Sequence, residues 1–88
     1  MMEDIEQFKL NMKESNPEAL YMDDFDDAII GVARRCGQPD LIAYSYRQMI
    51  EVMMKRDGCE QEDAVEWIEF NCVGAWMGPH TPVIVEDL

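Results

Sequence analysis

The sequence predicts a small α+β domain: a three-stranded antiparallel sheet covered by an antiparallel helix pair, with a short N-terminal helix. Three observations carry this reading. Runs of β-branched and aliphatic residues occupy 28–34, 41–44 and 83–85. Apolar stripes at helical spacing occupy 46–54 and 64–75. Glycine, proline, asparagine and aspartate cluster between them, where turns belong.

The elements follow in chain order. Ile5, Phe8 and Met12 are spaced three and four apart, which predicts a short amphipathic helix over residues 3–12. Isolated helices of this length are marginal, so residues 1–16 read as a peripheral helix or a flexible leader. Asn16-Pro17 reads as a cap with proline at the first helical position, opening a brief turn over residues 18–22. Residues 28–34, AIIGVAR, favour a strand, with Gly31 marking a bulge or a close backbone neighbour. The turn-rich segment 36–40 and the run LIAY at 41–44 complete a hairpin.

Ser45 stands three residues before Gln48, as in a capping box. Tyr46, Met49, Ile50, Met53 and Met54 then form the stripe of a helix that Gly58 stops. A second helix follows, with Glu60, Glu62 and Asp63 crowding its first turn, where negative charge suits the helix dipole. Its apolar face runs through Ala64, Trp67, Ile68, Cys72 and Ala75, and it is expected to end by Gly78-Pro79. Pro82 introduces the last strand, Val83-Ile84-Val85. The length fits one domain over residues 1–88, with about 60–65% of the unfolded surface buried and a thin stability margin.

Charge narrows the function classes. Seven basic and nineteen acidic residues give a net charge of −12. Nucleic acids and anionic membranes need Lys and Arg to meet their phosphates, so direct binding to either is disfavoured. A basic protein partner or a bound cation suits the charge. Three cysteines without a CxxC pair do not make a disulfide framework, which points to a reducing, cytoplasmic setting. The N-terminus has neither a basic segment nor an apolar run, so no signal peptide is expected.

Four aspartates, Asp23, Asp24, Asp26 and Asp27, fall within five residues. They read as a solvated turn, as a partner-binding surface, or, through Asp23, Asp24 and Asp27, as a divalent-metal site serving a hydrolase. The spacing is not that of an EF-hand, whose twelfth position would fall on Arg34. Glu62, Glu66 and Glu69 form a second acidic row at helical spacing, where like charges repel by about 0.2–0.5 kcal/mol per pair. Two such patches on one surface would imitate the spaced phosphates of a duplex, and a nucleic-acid-binding protein would read them as its ligand. No catalytic residue and no cofactor is assigned. His80 lacks an evident nucleophile, and the cysteines lack zinc-ligand spacing.

The methionine stripe reads as core filler or as an adaptable binding face. Trp67 and Trp76, nine residues apart on one helix, cannot both point inward, so Trp76 is a candidate interface anchor and a homodimer is a live reading. Arg34 and Arg35, adjacent in a strand, are expected on opposite faces.

The segments FDDAIIGVARRCGQP, RDGCEQEDAVEWIEFN, GAWMG and TPVI, within residues 25–88, resemble a family of small uncharacterised acidic proteins of bacteriophages and mobile bacterial elements. The resemblance implies a phage or mobile-element origin and carries no activity. One departure is Cys59-Glu60, where a Ser or Thr cap before the second helix is more usual. The expected function is therefore an accessory protein that binds a basic or nucleic-acid-binding protein of host or phage through acidic surface. The alternatives are a metal-dependent hydrolase using the 23–27 cluster and a structural homo-oligomer.

Overall fold

A computed structural model describes residues 2–86, with side chains from residue 5 onward. The elements are α1 (Met2–Ser15), β1 (Ile29–Ala33), β2 (Leu41–Ser45), α2 (Tyr46–Asp57), α3 (Gln61–Ile68) and β3 (Val83–Val85), with a 3₁₀ turn at Asp26–Ala28 and a π-helical turn at Glu69–Val73. This is the α+β arrangement that the apolar pattern predicts: an N-terminal helix, a three-stranded sheet and two later helices packed on it.

The sheet is mixed, which corrects the all-antiparallel expectation. Its order is β1-β2-β3, with β1 antiparallel to β2 and β2 parallel to β3. The reason lies in the connection. A parallel pair needs a long crossover, and α2 and α3 between β2 and β3 provide it. Central β2 has neighbours on both sides, and Ile42, Ala43, Tyr44 and Ser45 are all buried. The register shifts between Ile29 and Gly31, so the expected bulge is present; Gly31 adopts φ 151°, a conformation that favours glycine.

Local chemistry sets the helix ends. The Ser45 hydroxyl accepts the Gln48 N–H at 3.2 Å and caps α2. Gly58 closes α2 in the left-handed region, φ 68°, donating its N–H to the Met54 carbonyl. The expected helix over residues 60–78 is shorter. Regular α3 stops at Ile68, and the π turn ends when the Gly74 N–H reaches back to the Glu69 carbonyl at 3.0 Å. The Asn71 side chain takes the Trp67 carbonyl at 2.9 Å, so a side-chain donor competes for helix backbone there.

The core joins Met12 of α1, Met22, Phe25, Ile42 and Tyr44 to Met49, Met53, Ala64, Ile68 and Cys72. Met49 and Met53 thus act as core filler. Met54 of the same stripe is exposed. Asn16 does not cap a following helix. Its Oδ1 accepts the Glu18 N–H at 3.2 Å in an Asx turn, and its amide donates to the Asp40 carbonyl at 2.8 Å.

Tyr44 is fully buried, and its hydroxyl accepts the Met22 N–H at 2.8 Å. Burial pushes this phenol from 10.0 up to about 12. The folded state therefore holds its proton more tightly, so the contribution is complete below about pH 10 and is lost as pH rises toward about 12. Tyr44→Phe is expected to cost about 1–2 kcal/mol at neutral pH, because the Met22 N–H loses its acceptor. It should also flatten the alkaline fall in stability measured by urea denaturation. Parallel pH profiles for the two proteins would show that Tyr44 is not the source of that fall.

Candidate interaction surface

The two acidic segments are far apart in sequence and meet through an aromatic contact. Phe25, in the middle of the aspartate turn, is buried against Trp67 of α3, with ring centroids 6.2 Å apart and planes tilted by 39°. Trp67 lies between Glu66 and Glu69, so the contact sets the turn against the glutamate-bearing helix. Arg56 of α2 completes the junction. Its guanidinium lies 5.2 Å from the Phe25 ring centroid, donates to the Asp24 carbonyl at 3.1 Å and pairs with Asp57 at 3.2 Å. Asp24 itself has φ 68°, a left-handed conformation that aspartate tolerates in turns.

The carboxylates divide by environment. Asp26 is half-buried and paired with Lys9 at 2.8 Å. Glu69 accepts the Tyr46 hydroxyl at 2.6 Å, and this hydrogen bond is the main reason the Tyr46 phenol rises to about 12. Asp23, Asp24, Asp27, Glu62 and Glu66 are exposed, and among the described residues none of the five has an ion-pair partner. Beside them Phe70 is 82% exposed and Trp67 43% exposed, so the acidic face has an apolar strip.

Trp76 belongs elsewhere. Because the helix ends early, Trp76 lies beyond it, 77% exposed, on the wall of a groove that also includes Arg34 and Arg35. The two arginines share that groove instead of taking opposite faces. β1 stops at Ala33, so strand alternation does not reach them. Pattern reading missed this pair and Phe70. The turn composition that begins at Cys36 was the available signal that the strand stops short of the arginines.

His80 is held at both ring nitrogens. The Asn16 amide nitrogen lies 3.1 Å from Nδ1, and Nε2 lies 3.3 Å from Glu18. Since the Asn16 amide is a donor there, Nδ1 is the acceptor, and the neutral ring carries its proton on Nε2. Cys36 is exposed, Cys59 half-buried and Cys72 buried, and all three are free thiols; burial raises the Cys72 thiol. Among the described residues no group of three or more His, Cys, Asp or Glu side chains is arranged to hold a metal ion. Nor, among them, is any helix long and apolar enough to cross a membrane. No family model, no curated protein and no solved structure matches the chain.

The aspartates are therefore expected to meet divalent cations only by general screening. Calorimetric titration with Mg²⁺ or Ca²⁺ should give no one-site isotherm, and Asp24→Asn combined with Asp27→Asn should leave the heats unchanged. A saturable isotherm that the double substitution abolishes would assign a metal site to this turn.

Proposed function

We propose that the chain is a binding protein that engages a basic or nucleic-acid-binding protein of a bacterial host or phage through the joined acidic face. The carrying observation is the Phe25–Trp67 contact, which sets the 23–27 turn against the helix that also carries Glu62 and Glu66. The exposed, unpaired carboxylates support fast, salt-sensitive association with a positive partner. Trp67 and Phe70 add apolar area beside that charge, as interface anchors do. In its sharper form the face imitates the phosphates of a nucleic acid and inhibits the protein that reads them. The free thiols are compatible with a reducing cytoplasm as the place of action.

A second reading has one observation of its own. Phe70, Trp76 and Met77 are more than half exposed, which is a large apolar display for an 88-residue chain and suits a homodimer.

Affinity capture from a bacterial lysate at low and high salt tests the first reading, with Asp24→Lys and Glu66→Lys in parallel. The expected result is a basic partner recovered at low salt, reduced by about fivefold or more by each reversal and by added salt. Both side chains are exposed, so both variants should fold. Glu66→Lys should leave the melting temperature unchanged. Asp24→Lys should lower it slightly, because φ 68° suits aspartate better than lysine, so capture is compared well below both melting points. Capture indifferent to salt and to both reversals would remove the acidic face from the function. Light scattering separates the second reading: a doubled mass abolished by Trp76→Ala would assign the exposed aromatics to a second copy.

A further inference from the structure

A groove of about 520 Å³ opens between the β1–β2 connection, the segment after the π turn and the approach to β3. Ala33, Leu41 and Val83 give it an apolar lining, and Trp76 stands on its wall. The volume lies within the range of about 300–1,000 Å³ usual for small-molecule sites.

Its polar groups are few and differ in availability. Thr81 is occupied: its hydroxyl accepts the Met77 N–H at 2.8 Å and donates to the Gly78 carbonyl at 2.6 Å. These bonds also tie down the chain next to Trp76. Arg34 is engaged by Asp40 at 3.4 Å. Arg35 has no ion-pair partner among the described residues, in a chain where acidic side chains outnumber basic ones nineteen to seven. An apolar cavity with one available guanidinium is complementary to a single anionic head on an apolar body. Guanidinium and carboxylate match as a planar, two-pronged pair. A polyanion is a poor fit, because the net charge of −12 repels it.

We propose that this groove binds a small amphipathic monocarboxylate, with its head on Arg35 and its alkyl or flat apolar body against Trp76, Leu41 and Val83. The site is separate from the acidic face and does not depend on it.

The test uses sodium decanoate as probe and 1-decanol as its uncharged counterpart, titrated into the full chain and followed by amide NMR. Decanoate should move the amides of residues 33–41 and 75–84 saturably. Arg35→Gln should weaken decanoate by about tenfold, the usual effect of losing a charged hydrogen-bond partner. Decanol should bind wild type more weakly than decanoate does, and Arg35→Gln should not change it. The exposed position of Arg35 allows the variant to fold, which its amide spectrum checks directly. Three results would each overturn the proposal: no saturable shifts, equal decanoate affinity for Arg35→Gln and wild type, or groove shifts that follow protein concentration without ligand, which would give the groove to a second copy.

Discussion

One side chain, Asn16, holds together three segments that the sequence leaves far apart. Its amide donates to the Asp40 carbonyl just before β2 and points at the His80 ring nitrogen just before β3. Its carbonyl oxygen takes the Glu18 N–H, and its own backbone N–H closes the end of α1 onto Met12 at 2.7 Å. Asn16 is buried and its bonds to Asp40, His80 and Glu18 are part-buried, so removing the side chain strips three long- and short-range partners at once. The Leu20 N–H to His80 carbonyl bond, 3.2 Å, runs between the same segments. β3 has only three residues, and a parallel pair of that length depends on such anchoring to keep its register.

The same tie governs the surfaces. Pro39 and Leu41 on one side of the groove, and Pro79 and Thr81 on another, flank the residues that Asn16 connects. The acidic face depends instead on aromatic packing, with Phe25 between Trp67 and the Arg56 guanidinium. That arrangement concentrates charge economically. Arg56 and Lys9 hold the turn in shape through the Asp24 carbonyl and Asp26, while the outward carboxylates stay free for solvent or a partner.

Features set by local conformation are legible in the sequence. Gly31 signals its bulge, Ser45 its cap and Gly58 its left-handed stop, because each answers a demand within a few residues. The helical stripe likewise predicts Met49 and Met53 in the core. The two predicted helices between β2 and β3 make a parallel pairing possible, but a connection of that length allows either direction and the three-residue run adds no signal to decide it. Asn16-Pro17 looks like a helix start, yet the asparagine is claimed by Asp40 and His80 over 24 and 64 residues. The acidic segments are visible individually, but their adjacency rests on Phe25 meeting Trp67. Trp76 and the arginine pair are misplaced for a shared reason: extending α3 and β1 past their true ends imposes a periodicity that the chain has already left.

Native-state hydrogen exchange on Asn16→Ala tests the tie most directly. The expected result is a global loss of about 1–3 kcal/mol, from the hydrogen bonds lost to Asp40 and Glu18 and the space left by a buried side chain. Amides of β3 and of Leu20 are expected to lose protection first, while those in the middle of α2 keep theirs until global unfolding. Unchanged protection in β3, or a uniform loss across sheet and helices alike, would contradict the claim that Asn16 anchors the third strand.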